Sequence, residues 1–225
     1  MANQNGNAYG LTALIPIKNG SEAGESYASK VRRLLQTWSL DTNENSPMAK
    51  VPNTYLCRFY VLNDVFYQGS PAIEEHLKSK YLVFSTNFHG ELEAYIQGMW
   101  HQAQIELQEL LQHCVAFERV KKAEDFVNYI KRCQVDNALF FNGSTDDSLA
   151  EQLKALYLKQ AFSHFVFTHH HLINQGAASA AELQQAFKAF VQYTQPENLE
   201  QPTWYRGSEQ EPEDLEAAMR NLGFH

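Results

Sequence analysis

YLCRFYVL at Tyr55–Leu62 and YLVFSTNF at Tyr81–Phe88 are the two runs whose reading decides the fold. Both are rich in aromatic and aliphatic residues and have the length of single strands. The second passes through His89-Gly90 directly into a helical repeat, in which Leu92, Ile96, Met99, Ala103, Leu107 and Leu110 recur at spacings of three and four. That spacing predicts an amphipathic helix from Glu91 to about Gln112, with Glu91 and Glu93 at the positive end of its dipole.

Upstream, LTALIPIK at Leu11–Lys18 places Leu11, Ala13, Ile15 and Ile17 on one face of a further strand. Pro16 cannot donate to a ladder, so this strand ends there or has a free edge at that point. Tyr27, Val31, Leu34 and Trp38 then trace one stripe of a helix over Glu25–Trp38. The segment 41–54 reads as a loop, with Pro47 and Pro52 in it. Between the two central strands, Asn63–Lys80 is too long for a tight hairpin, and Pro71–Leu77 is expected to form a short helix there. HCVAF at His113–Phe117 supplies an expected fourth strand, completing the order β-α-β-β-α-β.

The remaining chain predicts a helix over Ala123–Cys133, a short strand at Ala138–Phe141 and a long helix from near Asp146 to before Gly176. A last helix begins at Ser179-Ala180-Ala181-Glu182, a capping-box pattern, and turns Leu183, Phe187, Phe190 and Val191 inward. These stripes are expected to pack on the sheet or on the first two helices. The oxygen-rich run Asn142-Gly143-Ser144-Thr145-Asp146-Asp147 lacks the spacing of a calcium loop, and helix capping accounts for it. The expected organisation is a loosely held N-terminus (1–10), an α+β domain (11–120), a mainly helical extension with one short strand (121–195) and an acidic, proline-containing tail (196–225) anchored by Trp204.

Composition bounds the function. A chain of 225 residues with 44% hydrophobic and 12% aromatic residues buries a core of its own. Eighteen basic residues against 26 acidic give a net charge of −8, and without a long basic run this disfavours nucleic acid and anionic membranes. Seven acids against Arg206 and Arg220 put much of that excess after Gln195. Cys57, Cys114 and Cys133 form no even set and no C-x-x-C pair, as expected of free thiols in a reducing, cytoplasmic setting. No apolar run reaches membrane-spanning length, and the first ten residues carry no leader pattern.

The order of elements across Leu11–Phe117, together with FSTNFHGELEAY where strand feeds helix, resembles the ferredoxin-like α+β superfamily, and within it the proteins that pair sheets into dimeric α/β barrels. The resemblance implies helices on one sheet face and a homo-oligomer. It spans haem enzymes, monooxygenases and small-ligand binders, and so implies no single activity.

With helices on one side, Cys57, Phe59, Val61, Leu82, Phe84 and Phe88 form the covered set. The other set is Leu56, Arg58, Tyr60, Leu62, Tyr81, Val83, Ser85 and Asn87, joined by Thr12 and Leu14. Arg58 is its lone cation, and a buried guanidinium requires a partner. The expected partner is a protein carboxylate, within the subunit or at its interface, an acidic ligand held also by Tyr60, Ser85 and Asn87, or water on an exposed side chain. His89, His101 and His113 are candidates for a general base or a haem axial ligand under an oxidative-enzyme alternative. His169-His170-His171 point about 100° apart on a helix and cannot share one ion, so they read as a solvated helix end and no metal site is expected. Three functional expectations follow. The first is a small organic ligand held between the sheet and the helices or at a dimer seam. The others are a haem-dependent or other oxidative enzyme, and a self-associating interaction module. No residue is assigned a catalytic role.

Overall fold

The computed structural model describes residues 3–38, 46–144, 146–173 and 176–193, and the expected tail with Trp204 lies outside them. It is an α+β chain with two compact units, Met1–Asp147 and Ser148–His225. The first unit contains the whole sheet. Its strands are β1 (Gln4–Asn5), β2 (Ala8–Pro16), β5 (Thr54–Leu62) and β6 (Tyr81–His89), all antiparallel to their neighbours in the order β1-β2-β6-β5. A two-residue hairpin, β3 (Ser21–Glu22) with β4 (Glu25–Ser26), leads into α1 (Tyr27–Thr37), whose cap is Ser26 accepting from the Ser29 amide. The helices α2 (Leu92–Leu111) and α3 (Ala123–Cys133) complete the unit.

Alternation in the strands separates two faces as the sequence predicts. Leu11, Ala13, Ile15, Leu82, Phe84 and Phe88 are buried beneath Val31 of α1, Ile96, Met99 and Leu107 of α2, and Phe126 and Ile130 of α3. Each large side chain taken out of water here contributes roughly 1.5–3 kcal/mol. Aromatic stacking fixes the layers: Phe59 lies on Phe84 at 4.6 Å, and Phe88 on Tyr95 at 3.8 Å. One polar group shares this face. Thr86 donates to the Leu56 carbonyl at 2.9 Å and meets the Tyr95 hydroxyl at 3.0 Å, so its burial leaves nothing unsatisfied.

The expected fourth strand at His113–Phe117 does not form. Ala116 takes a left-handed backbone (φ 62°) and the chain turns into a short 3-10 helix, Phe117–Arg119, leaving only a bridge between Cys114 and Ile17. The outer edge of β2 is instead sealed in three places. The Gly10 amide donates to Asn3 O near β1; Val135 donates to Thr12 O; Val115 donates to Pro16 O. Pro16, which has no amide to offer, sits on this irregular edge as a strand proline must.

Other expectations shift. Residues 3–10 are tied to the sheet: Asn3, Ala8 and Tyr9 are buried, and β1 pairs with β2. No helix forms at Pro71–Leu77 and no strand at Ala138–Phe141. α3 packs with the sheet, so the first unit runs on to Asp147.

In the second unit, α4 (Leu149–His169), capped by Ser148, is followed by a 3-10 turn, His170–Leu172, and by α5 (Ala177–Tyr193). The last helix begins two residues before Ser179, which is therefore not its cap. Ala161, Phe165 and Phe190 form the core of this unit with Leu183 against them, while Phe187 and Val191 are exposed. His169 is a correction: its Nδ1 lies 2.9 Å from the Phe165 carbonyl and its ring packs on Phe165 at 4.5 Å, so it is buried, and only His170 and His171 face water.

Candidate functional site

The face of the sheet opposite the helices carries the predicted residues in ordered rows. Cross-strand register places Leu56, Asn87 and Gly10 in one row, Arg58, Ser85 and Thr12 in the next, and Tyr60, Val83 and Leu14 in the third. Arg58, Tyr60, Ser85 and Asn87 are thus neighbours, as the alternation of two strands requires. Val83 is buried, Ser85 and Asn87 are half-buried, and Arg58 is exposed. Among the described residues Arg58 has neither a carboxylate nor a hydrogen-bond partner, so the expected internal salt bridge is absent there.

β5 is the free edge of the sheet. No backbone group of another described segment pairs with its outer side, and it runs for nine residues. Leu56 and Tyr60, at two residues either side of Arg58, are 58% and 51% exposed. The loop leaving the strand adds Phe66 at 89%. Asp64 folds this loop back on itself, accepting from the Leu77 amide at 2.7 Å and lying 2.8 Å from His76 Nδ1, and those contacts hold its carboxyl below the usual range.

The lower end of the open face is crossed by a strap, described over residues 136–144 and 146–147. Asn137 donates from Nδ2 to Gly10 O at 3.0 Å, and the Phe140 ring covers Gly10, where a Cβ would meet it at 2.7 Å. Asp146 closes the strap by accepting from the Asn7 backbone amide at 2.8 Å and from its side chain at 3.1 Å. Tyr55 donates to Asp147 O at 2.6 Å. His89 stands beside this clasp with Nε2 3.2 Å from Asp146 O; a carbonyl only accepts, so Nε2 carries the proton.

The three histidine candidates do not converge. His89 belongs to the clasp, His101 is exposed on α2, and His113 lies against the Tyr27 ring at 5.9 Å, where burial, with Lys30 nearby, lowers its affinity for a proton. No group of three or more metal-binding side chains occurs among the described residues. Cys57 and Cys114 are pushed up to about 12 by burial, which leaves them as inert thiols at neutral pH.

Sequence reasoning missed the clasp at Asp146 and the cover over Gly10. The signal for the first was present in the run of short oxygen-bearing side chains ending at Asp147, assigned above to capping. Ser148 performs that capping. Also missed was a cleft of about 350 Å³ at the outer edge of β2, lined by Arg119 and Arg132 among others. A second hollow, about 330 Å³, lies between α2 and the Phe117–Arg119 turn; neither includes Arg58. No family model, curated protein or solved structure matches the chain. No helix among the described residues is long and apolar enough to cross a membrane.

Proposed function

We propose that the protein is a non-catalytic interaction module that receives an extended, acidic segment of a partner protein along β5. The ferredoxin-like reading suits this role: β2, β6 and β5 with α1 and α2 make a split β-α-β core whose last strand is left at the edge. The observation that carries the proposal is Arg58, exposed and, among the described residues, without a side-chain partner, in the middle of a nine-residue edge strand that no described segment pairs, with exposed Leu56 and Tyr60 two residues to either side. An edge strand offers unpaired amides and carbonyls to an incoming strand, and alternate side chains then set specificity. A carboxylate opposite Arg58 supplies the missing charge. Neither of the two hollows described above includes Arg58, which suits an extended peptide better than the enclosed small ligand expected from sequence.

The test is to pan a display library of random 12-residue peptides against the full chain. Enriched sequences should carry Asp or Glu with apolar residues two positions away. A charge-assisted hydrogen bond is worth about 1.5–3 kcal/mol, so Arg58→Glu should weaken the consensus peptide by at least about tenfold and shift enrichment toward Lys and Arg. Enrichment indifferent to charge, or binding unchanged by Arg58→Glu, overturns the proposal. So does a native mass showing a dimer that depends on Arg58. Arg58→Leu that only induces assembly, with no acidic peptide bound by the parent chain, would make this residue a guard against edge pairing.

A further inference from the structure

We infer that the cleft at the outer edge of β2 is a binding site for a small anionic molecule, an oxyanion carried on a short apolar body. The site is distinct from the β5 edge and does not depend on it. Arg119 and Arg132 line one cleft although twelve residues lie between them in the chain. Neither has an ion pair among the described residues, so both charges stay available to an anion. Guanidinium forks suit carboxylate and phosphate oxygens, which they can hold through paired hydrogen bonds.

The surroundings fit the same ligand. Pro16, Val115 and Val120 give the hollow an apolar wall, and its volume of about 350 Å³ accommodates a ring-sized molecule. One carboxylate, Asp125, also lines it. Its Oδ2 accepts from the backbone amides of Lys121 and Lys122 at 3.0 and 3.2 Å, and with the two arginines it leaves the lining with a net charge of +1. The shape depends on a backbone that is costly to build. Ala116 occupies the left-handed region, at roughly 1–2 kcal/mol for an L-residue, and Tyr129 braces the turn by donating to Val115 O at 3.0 Å. Charge focuses here as well: residues 117–133 hold five basic against three acidic residues in a chain whose net charge is −8.

The experiment is an amide NMR titration of the full 15N-labelled chain with phenyl phosphate, benzoate and inorganic phosphate. Saturable shifts confined to Val115, Arg119, Asn128, Cys133 and their neighbours are expected with phenyl phosphate or benzoate, and the tighter of the two identifies the head group. The apolar wall should make phenyl phosphate at least about fivefold tighter than inorganic phosphate. The double variant Arg119→Gln/Arg132→Gln should weaken binding at least about tenfold. Lys121→Gln/Lys122→Gln removes the same charge outside the cleft and should change it by less than about twofold. All four side chains are exposed, so the variants should keep the parent spectrum elsewhere. The inference is overturned by the absence of saturable shifts, by inorganic phosphate binding as tightly as phenyl phosphate, or by equal losses in the two double variants.

Discussion

Replacing Gly10 by alanine tests whether the strap is seated on the sheet by Phe140. Gly10 lies in extended backbone that alanine adopts freely, so restricting the unfolded chain alone would stabilise the protein by about 0.4–1 kcal/mol. Against this, the added methyl would stand 2.7 and 2.8 Å from two carbons of the Phe140 ring, closer than carbon atoms approach. Forcing a methyl into a filled contact costs about 1–3 kcal/mol, so Gly10→Ala should be destabilising by about 1–2 kcal/mol. With Phe140→Ala in place the obstruction is gone, and the same substitution should then stabilise by about 0.4–1 kcal/mol. The double-mutant cycle should therefore show a coupling of about 1.5–3 kcal/mol, measured as shifts in urea midpoint at constant m by circular dichroism. A Gly10→Ala effect that is the same with and without the Phe140 ring, within about 0.5 kcal/mol, refutes the seating.

Tyr95→Phe removes the hydroxyl that lies 3.0 Å from both Thr54 and Thr86, while both threonines keep a carbonyl to donate to. The loss should be about 1–1.5 kcal/mol in the same urea assay, with the Phe88 stack intact. Burial pushes Tyr95, Cys57 and Cys114 up to about 12 from ordinary values of 10.0 and 9.0. The folded state holds these protons more tightly than the unfolded chain does. Their contribution to stability is therefore complete below pH 9 and declines as pH rises toward 12, which an alkaline titration of the thermal midpoint would show. By the same cause, Cys57 and Cys114 should resist iodoacetamide at pH 8 until urea is added; rapid labelling of the native chain would contradict their burial.

The two strand faces were legible because alternation is local: residues two apart share a side whatever the rest of the chain does. That places Arg58, Tyr60, Ser85 and Asn87 together without knowledge of any long-range contact. Helix α3 was equally plain, since Phe126, Val127 and Ile130 recur at helical spacing. What failed was the edge of β2. HCVAF has strand composition, yet the left-handed turn at Ala116 prevents extension, and the pairing groups come from three distant places that no local pattern reveals. That no described carboxylate reaches Arg58 was unreadable for a similar reason, because it depends on where tertiary structure puts those side chains. Asp146 was mistaken for a cap because a short oxygen-bearing side chain serves helix ends and long-range clasps equally well.

The piecemeal sealing of β2 sets a schedule for the chain as it is made. Once Pro16 has emerged from the ribosome, roughly 120 further residues must follow before Gln134–Asn137 can close the middle of that edge, about 6–24 s at ordinary rates of synthesis. Throughout that interval the nascent protein exposes hydrogen-bonding groups beside an unfinished core, so it should depend on holding chaperones more than a protein whose strands close in sequence.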